Sequence, residues 1–228
     1  MKIHIILVLL IFAGVDPLVG DDQEVVADIP DSMRKVIFFD DFEDNRNEWP
    51  VESDHAKLEI KNGRYTIDRR EQAETYTVSN GNIDFHGAFS VECKMRKVEG
   101  DNRFVWYGIV WGRQSEADYS NFLVNPGGKF SLAIQMQNDY LPALDWTPNA
   151  GIEGNDRFHV LRIERRGILL DVLDPRSYEK PRFTYYFYIN DALVQYFKTW
   201  PEVPGNEIAF RLSENVKVEV DYVKVTVP

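Results

Sequence analysis

The chain has 228 residues, of which 13% are aromatic, with one cysteine and a formal net charge of −11. That charge argues against nucleic acid and anionic membrane surfaces as partners, because both need a basic face to meet them. A single thiol, Cys93, rules out an internal disulfide, and a chain of this length buries enough of its surface to stand without one.

Met1-Lys2-Ile3-His4 followed by an apolar run over residues 5–15 has the anatomy of a secretory signal. The run falls short of the roughly 20 residues that span a bilayer. Residues 1–20 read as a signal peptide, with cleavage near Gly20 or after Ala27, residues 21–34 as an acidic linker, and residues 35–228 as one domain. The expected location is secreted or periplasmic, with no membrane contact once the leader is removed.

From Val36 onward, strand signals follow at short intervals. Val36-Ile37-Phe38-Phe39 comes first, then Lys57-Leu58-Glu59-Ile60. This turns at Asn62-Gly63, a hairpin dipeptide that tolerates positive φ at both positions, into Tyr65-Thr66-Ile67. Thr75 to Val78 and Phe85 to Lys97 continue the pattern, and in the latter Cys93 shares a register with Phe89, Val91 and Met95 and reads as a small buried hydrophobe. Arg103 to Gly112 is apolar on both faces and reads as a central strand. Asn121 to Val124 turns at Asn125-Pro126-Gly127-Gly128 into Lys129 to Ile134, followed by His159 to Glu164. Tyr185 to Ile189 turns at Asn190-Asp191 into Ala192 to Phe197, then comes Glu207 to Leu212. The last run, Val216 to Val225, alternates apolar with charged or polar residues, with Tyr222 the one aromatic in the polar register. The segment 167–183 interrupts the rhythm and reads as a surface excursion. No helical period is sustained, and about a dozen strands exceed what one open sheet holds, so the fold is expected to be all-β, a two-sheet antiparallel sandwich.

Eight blocks in order resemble a family of exported jelly-roll domains with the concanavalin A-like lectin/glucanase fold. They are Phe39-Asp40-Asp41-Phe42-Glu43-Asp44-Asn45-Arg46-Asn47-Glu48-Trp49-Pro50, Asn62-Gly63-Arg64-Tyr65, Tyr107-Gly108-Ile109-Val110-Trp111-Gly112, Asp118-Tyr119-Ser120-Asn121-Phe122, Trp146-Thr147-Pro148, Leu161-Arg162-Ile163-Glu164-Arg165-Arg166-Gly167, Phe187-Tyr188-Ile189-Asn190 and Val218-Glu219-Val220-Asp221-Tyr222-Val223. The sequence departs from the pattern at Asn190-Asp191, where Asn-Gly is usual, and by the segment 167–183. The resemblance implies the fold and leaves the activity open.

Retaining glucanases of this fold carry Glu-x-Asp-x-x-Glu on one strand, with nucleophile and acid/base about 5.5 Å apart. The only near match, Glu219-Val220-Asp221-Tyr222-Val223-Lys224, has Lys224 in the acid/base position, and its carboxylates read as the wetted face of an outer strand. Glu92, Lys94 and Arg96 share the polar face of an inner strand, as a charged ladder or as the lining of a groove. His55, His86 and His159 lack metal-ligand spacing, so zinc is not expected. No catalytic residue is assigned. The resemblance also implies a calcium clamp between first and last strands, for which Asp40, Asp41, Glu43 and Asp221 are the candidates; otherwise no cofactor is expected. The strongest functional lead is a set that pairs rings for apolar sugar faces with planar groups for hydroxyls: Trp106, Tyr107, Trp111, Tyr119 and Trp146 with Arg113, Asn121 and Gln135, and Glu92 as a further ligand contact. Trp106 and Tyr107 must point to opposite sides of their strand, while Trp49 and Trp200, beside prolines, read as packing residues. The expectation is a non-catalytic lectin-like module for polysaccharide or a glycosylated surface. The alternatives are a glycoside hydrolase with an unrecognised acidic pair, or an envelope or adhesion protein that binds another protein.

Overall fold

A computed structural model describes residues 33–69, 75–101, 104–152, 157–167, 183–202 and 205–228. The leader, most of the acidic linker and nearly all of the excursion lie outside the described residues.

Among the described residues every regular element longer than a single turn is a strand. In chain order these are β1 (Lys35–Asp40), β2 (Lys57–Ile60), β3 (Tyr65–Asp68), β4 (Tyr76–Asn80), β5 (Phe89–Glu99), β6 (Tyr107–Ser115), β7 (Asp118–Asn125), β8 (Lys129–Met136), β9 (Asp139–Pro148), β10 (His159–Gly167), β11 (Phe183–Ile189), β12 (Ala192–Phe197), β13 (Glu207–Leu212) and β14 (Lys217–Val227). One sheet runs β12-β11-β10-β5-β14-β3-β2, with β1 paired to β14 beside it; the other runs β4-β13-β6-β7-β8-β9. All pairings are antiparallel.

The pleat divides each strand between a sealed interior and an outer face. On β5, Val91, Cys93 and Met95 are fully buried, while Glu92, Lys94 and Arg96 alternate with them on the outside. Burial holds the Cys93 thiol far above its ordinary pKa, so it packs as a hydrophobe. The last strand is not one continuous alternation. Its register slips between Val220 and Tyr222, so Asp221 and Tyr222 both stay outside while Val218, Val220, Val223 and Val225 all reach the core. Nor is β14 an outer strand. It lies between β5 and the pair β1 and β3.

Turns follow backbone chemistry more than residue identity. Asn62 and Gly63 have φ of 54° and 65°, as a two-residue hairpin requires. Asn190 and Asp191 take φ of 50° and 64°, so the unusual Asp occupies the same geometry that Gly would. A third such pair, Gln137 and Asn138, carries no strong turn signal and connects β8 to β9, the strand that alternation did not reveal. β9 is an edge strand with Pro142 and Pro148, positions where a missing N–H is tolerated.

Two aromatic clusters fill the sandwich. In one, Trp49 stacks on Phe210 at 4.9 Å and Phe42 on Tyr65 at 5.5 Å. In the other, Trp111 stacks on Trp200 at 5.8 Å, with Phe187 6.0 Å from Trp111. Buried Asp40 ties the first cluster to β1: its carboxylate accepts the Phe42 backbone N–H at 2.8 Å, the Asn47 amide at 2.7 Å and the Trp49 indole N–H at 2.9 Å. Asp40→Ala strands the Phe42 N–H and the Trp49 indole N–H where water does not reach, while the Asn47 amide keeps the Phe39 carbonyl. Urea unfolding is expected to show a loss of about 3 kcal/mol; a loss indistinguishable from zero would contradict this role.

Candidate functional site

The outer faces of the two sheets differ in kind. On the eight-stranded sheet the charges neutralise one another. Glu92 accepts the Tyr222 hydroxyl at 2.8 Å and lies 3.6 Å from Lys224, Lys94 meets Asp221 at 2.8 Å, and Arg96 meets Glu219 at 2.7 Å. Glu219 is shared with Arg64 at 3.1 Å, and the guanidinium groups of Arg64 and Arg96 and the Lys94 ammonium gather over the Phe158 ring at 5.3, 4.7 and 5.0 Å. Glu164 is gripped by Arg34, Arg162 and Arg166. This is a cross-strand ladder. The carboxylates of the near-match strand are spent on arginines and a lysine, so neither Glu219 nor Asp221 stands ready as nucleophile or acid.

The six-stranded sheet carries the other face. Inward Tyr107, Ile109 and Trp111 on β6 leave Gly108 and Val110 outward. Beyond Trp111 the backbone turns through Gly112, with φ of 61°, and the shifted register sets Arg113 beside Glu207. On β7, Ser120, Phe122 and Val124 alternate with outward Tyr119, Asn121 and Leu123, and Tyr119 pairs across to Gln135 on β8. The Tyr119 ring forms a small cluster with Val110 and Ala209, reaching across β6 towards β13. The Arg211 guanidinium lies 5.0 Å over that ring, and the Tyr119 hydroxyl makes a long contact of 3.5 Å to Gln135 Oε1. Arg113 donates to Ser79 Oγ at 3.3 Å, to Glu116 at 2.7 Å and to Glu207; Arg211 donates to Thr77 Oγ1 at 2.8 Å and lies 3.7 Å from Glu116.

Asn121 stands apart in this cluster. It is 0% exposed, and neither its amide nitrogen nor its amide oxygen has a partner within the protein. The Nε of Arg113 is likewise buried and unpaired. A buried, unsatisfied amide costs about 1–3 kcal/mol, so a chain that keeps one holds it against its stability.

The structure thus brings Arg113, Tyr119, Asn121 and Gln135 onto one face. Trp106, half-buried just before β6, donates its backbone N–H to Ser213 Oγ at 3.0 Å, and its neighbour Tyr107 is inward, 3.2 Å from His159. Trp146 is half-buried on β9 of the same sheet. Trp111 is not on this face, being packed in the core, and Glu92 lies on the opposite sheet. Arg211, Glu116 and Glu207 complete the cluster and were not singled out from sequence. Glu116 lies three residues from Arg113, whereas Glu207 and Arg211 are remote in the chain and arrive through the pairings of β13 with β6 and β4.

Two of the four calcium candidates, Asp40 and Asp221, do not fit a hard cation. The Asp40 oxygens accept three N–H groups, and Asp221 is held by Lys94. Among the described residues no three His, Cys, Asp or Glu side chains gather as a metal site.

No protein-family model matches the sequence, and none of the curated proteins does. Solved structures do match in fold. A Bacillus licheniformis beta-glucanase superposes with a TM-score of 0.55 at 9% identity, over 84% of this chain and 98% of its own. A non-specific endo-beta-1,3(4)-glucanase of family GH16 gives 0.53 at 14% identity, over 88% and 93%. A structure from work on endo-acting O-glycanases that the human gut microbiota use to initiate mucin breakdown gives 0.55 at 11% identity, over 85% and 100%. The fold is a concanavalin A-like jelly roll. Identities this low fix the architecture and say nothing of the chemistry.

Burial raises the Tyr119 pKa above 10; Arg211 opposes the shift and Glu116 adds to it. The neutral hydroxyl is therefore favoured in the folded state, a contribution fully present below the ordinary tyrosine range and lost as pH rises through the folded value. Arg211→Gln is expected to move the Tyr119 ionisation still higher and Glu116→Gln to bring it down. Phenolate absorbance, taken as the difference from Tyr119→Phe in each background, reads both; the opposite order would contradict the geometry.

Proposed function

We propose that the chain is an exported, non-catalytic, lectin-like module that binds polysaccharide or a glycosylated surface on the outer face of its six-stranded sheet. The observation that carries this reading is the unpartnered, buried Asn121 amide set beside Tyr119 and two arginines. Asn121 and Tyr119 are 0% and 2% exposed, so a ligand reaches them once the side chains above them move aside; the planar amide then supplies a donor and an acceptor together, as sugar hydroxyls demand, and the ring suits an apolar sugar face. The jelly-roll neighbours include glucanases and a glycan-cleaving enzyme of the gut, which favours a glycan as ligand. Catalysis is disfavoured because the carboxylates on this face, Glu116 and Glu207, are both engaged by Arg113. A retaining pair needs one free carboxylate and one held protonated. Export is supported by the basic start and apolar run at residues 1–15.

A glycan array, followed by titration of the best binder, tests the reading with Asn121→Leu as the paired variant. Leucine has a similar volume and removes the orphan amide. It is expected to raise the melting temperature, gaining on the order of 1 kcal/mol, while weakening glycan binding about tenfold or more. Silence of the wild type across the array, or full binding by Asn121→Leu, contradicts the proposal. Oligosaccharide products released on incubation would assign the face to hydrolysis instead.

A further inference from the structure

β12 closes one edge of the eight-stranded sheet, and among the described residues it pairs with β11 alone. An open edge is a template for further strand pairing, and chains blunt such edges with charge or proline. β2, at the far end of the same sheet, carries Lys57 and Glu59, and β9 carries Pro142 and Pro148. On β1 the Phe39 carbonyl accepts the Asn47 amide at 3.0 Å. Ala192-Leu193-Val194-Gln195-Tyr196-Phe197 holds neither charge nor proline, and its Leu193 and Tyr196 are 49% and 41% exposed.

The register of β12 on β11 decides what that edge presents. Ile189 and Ala192 flank the two-residue turn Asn190-Asp191, so they form a hydrogen-bonded pair. Alternation along β11 then turns the backbone polar groups of Tyr186 and Tyr188 away from β12. Their partners on β12, Tyr196 and Leu193, direct their own N–H and C=O groups to the open side. Val194 is an extra residue, a bulge between Leu193 and Gln195. Because of it, Leu193 and Tyr196 share the outer face although three positions separate them. The Tyr196 ring is held there by stacking on Tyr186 at 6.2 Å.

Such an edge matches a second copy of itself. Two β12 strands set antiparallel about a two-fold axis between Val194 and Gln195 bring Leu193 of each copy opposite Tyr196 of the other. The open N–H and C=O groups then meet, and the two side chains pair across the strands on one face. The same register brings Asp191 of each copy opposite Lys198 of the other, acid against base at both ends. The Asp191 side chain is 81% exposed, with Arg162 3.5 Å away, and Lys198 is exposed. A slip of two residues sets Leu193 opposite Lys198, or Tyr196 opposite Asp191, and loses both matches. We propose that β12 is a self-association edge that joins two copies of the chain into a dimer with one continuous sheet. The proposal stands apart from the glycan reading, because β12 belongs to the sheet that does not carry Asn121.

Sedimentation equilibrium of the purified protein is expected to show a dimer with a dissociation constant tighter than about 100 µM. Leu193→Lys changes an exposed side chain and is expected to weaken the dimer about tenfold or more. Lys198→Asp and Asp191→Lys each set like charges opposite one another at both ends, and each alone is expected to weaken it about tenfold. Mixed in equal amounts, these two variants restore opposite charges at both ends, and their mixed dimer is expected to form within about threefold of the wild-type affinity. Melting temperatures taken at dilution check that each variant folds. Asp191 has φ of 64°, so if that turn position does not accept lysine, Leu193→Lys and Lys198→Asp decide, and both must weaken the dimer. A monomer mass throughout the concentration range overturns the proposal. So does a dimer indifferent to Leu193→Lys, which lies on another face, or a mixture that associates no better than its two components.

Discussion

The structure rests on one constraint: every strand must send alternate residues into a single sealed layer between two sheets. Val91, Cys93 and Met95 on β5, Leu161 and Ile163 on β10, and Ile109, Phe122 and Leu132 from the opposite sheet all meet there, fully buried. Burial of this kind is the main favourable term in folding, and it leaves little freedom to the backbone. At two places where the pleat would put a polar residue inside, an irregularity turns it out. The slip at Asp221-Tyr222 restores the valines of β14 to the core, and the turn at Gly112 releases Arg113 to the outside.

Once the interior is sealed, the outer faces are free to diverge. On the eight-stranded sheet, acids and bases pair across β5, β10, β14 and β3, with the Arg162 Nε left unpaired among them. Such pairs contribute modestly to stability and leave little unsatisfied for a ligand to exploit. The six-stranded sheet keeps small residues at its centre, Gly108, Val110 and Ala209, and lays the Tyr119 ring across them. It leaves the Asn121 amide and the Arg113 Nε without partners, and unpaired polar groups are where a fold departs from its own best energy. The Asn121 amide, with both donor and acceptor unpaired, sets this face apart from the charge ladder.

Alternation in β5, β7, β8 and β11, with Asn62-Gly63 between β2 and β3, was enough to anticipate a two-sheet antiparallel sandwich. β9 was not legible, because an edge strand carrying two prolines and entered by Gln137-Asn138 has neither the period nor the turn residues that announce a strand. The phase change in β14 was also hidden, since Tyr222 fits a polar register as well as an apolar one. The site was partly legible. Tyr119, Asn121 and Arg113 share a face as their spacing suggested, whereas Glu92 and Trp111 have the right chemistry on the wrong surface. Nothing local tells whether an outward residue belongs to one sheet or the other. Arg211 and Glu207 emerge only from the β13–β6 register, which joins residues about a hundred positions apart in the chain.

The most direct measurement is the side-chain amide NMR signal of Asn121 during titration with a glycan that binds. A ligand seated on the six-stranded sheet shifts both Asn121 amide protons, together with backbone signals along β6, β7 and β8, and leaves β5, β10 and β14 still. Shifts gathered on the eight-stranded sheet, with the Asn121 amide unmoved at saturation, would contradict the assignment of the ligand face.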